Sequence, residues 1–178
     1  IKLEVQRLTE GFTTLKTMLD PNSGLNAGFI KGGLVGSLQG RLATEKAKGR
    51  YAEFNRLLSV GRLFYEPIWV YSRGDLHVAS LRELKGMKIF TGTKESGARR
   101  IVNQLLKANG IDKSNATLID QDLPADAAPL FDGRADVAIT IAAPDSDKMQ
   151  ELVRVAGIRL MDFSPEAEAY DNRFPALT

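Results

Sequence analysis

The chain has 178 residues, 43% hydrophobic and 26% charged, with a formal net charge of +2 and a pI near 8.9. That is enough chain to bury roughly 70% of its unfolded surface, and no apolar run approaches the roughly 18 residues of a membrane span. Basic residues are interspersed with acids, without the basic stripe and aromatics that would predict a nucleic-acid partner; the absence of cysteine excludes disulfides, and a single histidine, His77, excludes a histidine-rich metal site.

The first run, IKLEVQ, reads as a strand. No initiator Met, signal peptide or basic leader precedes it, as in an excised segment. A helix is predicted around residues 12–19, then a turn at Pro21 to Gly24, then a second strand, LNAGFI, containing the small residues Ala27 and Gly28. Between Gly36 and Arg62 the chain is more polar. Tyr51, Phe54, Leu57 and Leu58 fall at helical spacing there, which predicts an amphipathic helix packed on the preceding elements, and TEKAKGR reads as a solvated face or loop.

YEPIWVYSR then leads out of this region into KIFTGTKESGARRIVNQLLKANGI, residues 88–111. KIF reads as a strand. GTKESGAR nearly satisfies the phosphate-loop pattern, but Ala98 stands where the lysine belongs and Arg99 where the magnesium-binding hydroxyl belongs. A nucleotide hydrolase loses both chemical groups. The surviving layout is a helix beginning near Ser96, with free amides and a positive dipole end, which suits a carboxylate or other small anion. Ser96 as a plain helix cap accounts for much of the same pattern.

Ala98, Ile101, Val102, Leu105, Leu106 and Ala108 form a continuous apolar helix face, and Gly110 can close the helix in a left-handed turn. At about 100° per residue, Arg99 falls on the flank of that face and Arg100 near the opposite side, toward water. ATLIDQ is then a predicted strand, followed by a helix at 125–131, a turn at Asp132 and Gly133, and the strand DVAITIA.

This alternation predicts an α/β class with a mainly parallel sheet. The strand, helix, turn and strand near the start share a plan with those after residue 116, which predicts two similar lobes. The chain leaves the first through YEPIWVYSR and returns through IRLMDF. The boundaries are residues 1–70 for the first α/β lobe, 71–163 for the second, and 164–178 for the return segment.

Five segments taken together resemble the TAXI-type solute-binding proteins of TRAP transporters. They are TEGFTTLKTMLD with LNAGFIKGG, LFYEPIWVYSRGD, LRELKGMKIFTGTKESGARRIVNQLLKANGI, LFDGRADVAITIAAPDS and IRLMDFSPEAEAYDNRFPALT. Their order and spacing carry the resemblance more than any single motif. It implies a two-lobed fold of the type II periplasmic-binding-protein kind, with the first lobe incomplete in this chain because the family's opening strand and glycine-rich helix start would precede Ile1. It further implies a solute cleft formed by loops at the carboxyl ends of strands, in agreement with the general rule for open α/β sheets.

Carried onto this sequence, the resemblance points to Thr9, Glu10 and Gly11; Lys31, Gly32 and Gly33; Tyr65 and Glu66; Thr91, Thr93, Ser96, Gly97, Ala98 and Arg99; and Ala142, Pro144 and Asp145 as ligand-binding residues. Each group has an ordinary alternative as a turn, a lobe crossing or a helix start. Lys94 and Glu95 depart from the family, which has small residues or proline ahead of the serine.

The resulting expectation is a non-enzymatic, periplasmic or extracytoplasmic receptor. It would capture a small carboxylate-bearing solute between its lobes and deliver it to a TRAP-type membrane permease, with no cofactor, metal or nucleic acid. A ligand-sensing module of a regulator on the same fold is the alternative. An enzyme would need a serine, histidine and acid set built on His77, which reads as a surface residue; Asp120 with Asp122 and Asp145 with Asp147 read as loop and cap residues.

Overall fold

The computed structural model describes residues 4–8, 11–30, 34, 55–63, 65–94, 96–166, 168 and 172. The chain forms two compact units, one of Ile1–Arg62 with Lys94–Ile101 and the other of Leu63–Thr93 with Val102–Thr178.

In the first unit, helix α1 spans Gly11–Leu19. Leu15 on its inner face is 3% exposed and packs with Leu34, flanked by Leu19, Ile30 and Leu57. Burying one such leucine contributes about 1.5–3 kcal/mol. The helix stops where Asp20 and Pro21 enter: the Asp20 carboxylate accepts from the Asn22 amide at 2.9 Å, its carbonyl accepts from the Ser23 amide at 3.1 Å, and Gly24 takes φ 68°. Proline ahead and a left-handed glycine behind make this turn the expected stop.

Of the two expected strands, LNAGFI is not formed, and IKLEVQ shows no strand in its described residues 4–6. Residues 4–8 and 25–30 have no ladder partner among the described residues, and Val5 and Phe29 are largely exposed. The small residue in LNAGFI serves a different contact. A Cβ on Gly28 would lie 2.7 Å from Thr14 Cγ2 and 3.1 Å from Met18 Sδ, so this segment crosses α1 closely enough to require glycine. Of the predicted amphipathic helix, Tyr51 and Phe54 lie outside the described residues; Leu57 packs on the Leu15 and Leu34 pair, whereas Leu58 is exposed.

The second unit holds a sheet of β1 (Ile68–Arg73), β2 (Lys88–Phe90), β3 (Thr117–Ile119), β4 (Val137–Ile141) and β5 (Ile158–Leu160), in the order β3-β2-β4-β1-β5. β2 is parallel to β3 and β4, while β1 is antiparallel to both β4 and β5. Four strands therefore share one direction and β1 alone runs against them, so the sheet is mixed where a mainly parallel one was expected. Helices α2 (Gly97–Ala108), α3 (Ala128–Phe131) and α4 (Asp147–Leu152) each connect strands of the common direction. Such crossovers are what parallel neighbours need. The connection from β1 to β2 carries only a short 3₁₀ turn, Leu81–Leu84, capped by Ser80.

β4, VAITI, is buried along its whole length, as a central strand covered on both faces should be. On one face Tyr71, Phe90 and Ala138 pack with Leu123 and Leu130, and with Met149 and Leu152 of α4. α3 is shorter than the predicted 125–131 helix because Ala127 takes a left-handed φ of 54° and Pro129 follows, so helical backbone begins only at Ala128. Gly74 is pinned beyond β1: its amide donates to Gly157 O at 2.8 Å, and an added Cβ would meet that oxygen at 2.5 Å.

Candidate functional site

Helix α2 is built as its sequence suggests. The Arg99 amide donates to Ser96 Oγ at 3.1 Å, the bond of a serine N-cap. At the other end Gly110 takes φ 75°, its amide donates to Lys107 O at 3.0 Å, and the Ile111 amide donates to Leu106 O at 2.9 Å. This is a Schellman closure. Ala98, Val102, Leu105 and Leu106 are all buried. Arg99 is half-buried on the flank, and Arg100 is half-buried too, more covered than its predicted water-facing position. An arginine stem lying along a helix surface accounts for such cover.

With the Arg99 amide taken by the cap, helical geometry gives the amides of Gly97 and Ala98 no acceptor within the helix itself. Gly97 and Ala98 are both buried. The start of α2 therefore gathers N–H groups at the positive end of the helix dipole, with Arg99 in the first turn.

Of the remaining predicted residues, Thr9, Glu10, Lys31, Gly32 and Gly33 lie outside the described residues. Gly11 opens α1, where a Cβ would meet Leu34 Cδ2 at 3.0 Å. Tyr65 is 63% exposed and Glu66 half-buried. Thr91 is fully buried, and both its amide and its hydroxyl donate to Ile119 O, at 3.0 and 3.2 Å; the Gly92 amide donates to Gln121 O at 3.0 Å. Thr93 is exposed.

The 142–145 loop is held by its carbonyls. Ala142 O accepts from Trp69 Nε1 at 2.9 Å, Ala143 O accepts from the Ser146 amide and hydroxyl at 3.1 and 2.8 Å, and Pro144 O accepts from Gln150 Nε2 at 2.8 Å. Ala142 is half-buried, while Pro144 and Asp145 are exposed. Gly11, Ser96, Gly97, Ala98 and Arg99 belong to the first unit, and Tyr65, Glu66, Thr91, Thr93, Ala142, Pro144 and Asp145 to the second. Trp69 was not among the residues anticipated from sequence. The available signal was its place as the chain's one tryptophan, in the strand directly after YEP.

An open cavity of about 420 Å³ lies along β1 and β5, lined among others by Ser72, His77, Arg159 and Asp162. It contains the residue types of a hydrolytic triad. However, the Ser72 hydroxyl donates to Leu76 O at 3.4 Å, and the Asp162 carboxylate accepts from the Ser164 amide at 2.9 Å, with its pKa held below the usual carboxylate value by the Ser164 side-chain and backbone donors. Among the described residues no hydrogen bond joins His77 to either, so the two bonds that define a triad are not formed. Asp120 is half-buried and Asp122 exposed. Among the described residues no group of three or more histidine, aspartate or glutamate side chains could hold a metal ion.

The model of the NMT1-like family matches residues 23–177. The chain belongs to the NMT1-like family. That match takes in α2, the 142–145 loop and every strand of the sheet. Solved structures similar to this NMT1-like chain include the periplasmic aliphatic sulphonate binding protein SsuA from Escherichia coli, at 18% identity and a TM-score of 0.43, covering 63% of this chain and 42% of that one. An ancestral arginine-binding protein bound to arginine is similar at 17% identity and a TM-score of 0.43, covering 84% of this chain and 66% of that one. The NMT1-like chain thus spans about two fifths of the length of the sulphonate-binding protein, 42%. No curated protein sequence matches it.

Proposed function

We propose that this chain is part of a solute-binding receptor, without catalytic activity, that captures a small carboxylate-bearing solute outside the cytoplasm for delivery to a membrane permease of the TRAP type. The observation that carries the reading is the start of α2, where Ser96 caps the helix and the amides of Gly97 and Ala98 and the Arg99 guanidinium offer an anion complementary charge. The TRAP assignment is supported by the order of the five sequence segments; TEGFTTLKTMLD, residues 9–20, precedes the NMT1-like match, and the rest fall within it except Thr178.

The solute's acid group is assigned to Ser96, Gly97, Ala98 and Arg99, with the 142–145 loop contributing on its own unit. Titration calorimetry with L-glutamate, succinate, L-arginine and ethanesulfonate tests this, the last two being included because the solved neighbours are named for arginine and sulphonate. Saturable binding of a carboxylate, with the solute recovered unaltered, is expected. Arg99→Ala should weaken it by about tenfold or more, the loss of a charge-assisted hydrogen bond. Unchanged affinity of Arg99→Ala for every carboxylate would move the site elsewhere; turnover of a bound solute would replace the receptor with an enzyme.

A further inference from the structure

We infer that Trp69 is a positioning residue for the solute, holding the 142–145 loop in its binding shape and forming part of the wall the solute meets; this rests on the receptor reading above. Three observations within the second unit carry it. First, the strand register places Trp69 opposite Thr140 and Ile68 opposite Ile141, so the start of β1 lies at the carboxyl end of β4, where the loop begins. Second, its indole N–H donates to Ala142 O at 2.9 Å, joining residues 73 apart in sequence.

Third, the indole is half-buried, so it keeps an accessible edge or face, and it is fixed from beneath by Tyr71. The two rings stand 6.3 Å apart and 6° from parallel, and Tyr71 is 2% exposed within the core. That geometry lies in the range of offset aromatic pairs. With Ala143 O taken by Ser146 and Pro144 O by Gln150, the bond from Trp69 completes a loop in which three successive carbonyls each accept a hydrogen bond. An anion meets fewer outward lone pairs there, and the loop is shaped before the solute arrives. Preorganisation of this kind is a source of affinity.

Because the chain has a single tryptophan, its emission reports on this position alone. The same four probes, L-glutamate, succinate, L-arginine and ethanesulfonate, are titrated while emission is followed beside calorimetry, and Trp69→Phe is titrated calorimetrically. The expected result is an emission change that saturates with the calorimetric midpoint, and affinity roughly tenfold weaker in Trp69→Phe, which keeps the stack and loses the N–H. Calorimetric saturation with constant emission in the unaltered chain, or with undiminished affinity in Trp69→Phe, overturns the role of Trp69 and leaves the receptor standing. Absence of heat with all four probes overturns the receptor reading, and this inference with it.

Discussion

Tyr71 brings a phenol into the core without an acceptor for it: the residue is 2% exposed, and its hydroxyl has no hydrogen-bond partner among the described residues. A buried unsatisfied hydroxyl costs about 1–3 kcal/mol, whereas replacing it with hydrogen leaves the ring in place. Tyr71→Phe is therefore expected to leave stability unchanged or raise it by about 1 kcal/mol in urea unfolding; a loss of that size would reveal a bond the fold depends on. Burial also raises the phenol's pKa above its ordinary value. The folded state thus favours the neutral form. Its contribution is fully present below the unfolded pKa of about 10 and is lost as pH rises from there through the higher folded value. Tyr71→Phe should lessen the fall in stability above that pH, and an unaltered alkaline slope would contradict the assignment. Little of this was legible in sequence, because IWVYSR shows that aromatics occur in the strand but not which of their polar atoms find partners.

At the scale of elements, α2 tests whether local signals fix a helix. Ser96→Ala removes the cap to the Arg99 amide and should cost about 1 kcal/mol. Gly110→Ala forces a side chain into φ 75° and should cost about 1–2 kcal/mol. The two ends are about 20 Å apart along a helix rising about 1.5 Å per residue, so the double variant should lose close to the sum. Thermal or urea unfolding reads all three, and a neutral Gly110→Ala would mean that the Schellman closure does not matter. Both ends could be read from single letters because capping is local chemistry. The sheet was only partly readable for the opposite reason: the crossover helices announce the four strands that run together, but the reversal of β1 depends on pairing Ile68 with Ile141 across 73 residues. LNAGFI misled in a different way. Its small residues satisfy a close crossing over Thr14 and Met18, and so Gly28→Ala, with a Cβ 2.7 Å from Thr14 Cγ2, should destabilise the first unit.

At the scale of the molecule, the family match over residues 23–177 and the mixed α/β sheet place the chain among NMT1-like proteins, and no helix among the described residues is long and apolar enough to cross a membrane. The start of α2 was legible as Ser96 and Gly97 ahead of an apolar-faced helix, because a cap is local chemistry. The bracing of the 142–145 loop was not, since Ser146 and Gln150 follow it directly but the third donor, Trp69, comes from 73 residues away. The central claim is that the amino end of α2 holds the solute's acid group. The most direct test is a titration of the ¹⁵N-labelled chain with the tightest-binding carboxylate, followed through backbone amide resonances. The account predicts that the Gly97 and Ala98 amides move most and saturate at the calorimetric midpoint. Saturation with those two unmoved, and with shifts gathered instead around Ser72 and His77, would contradict it.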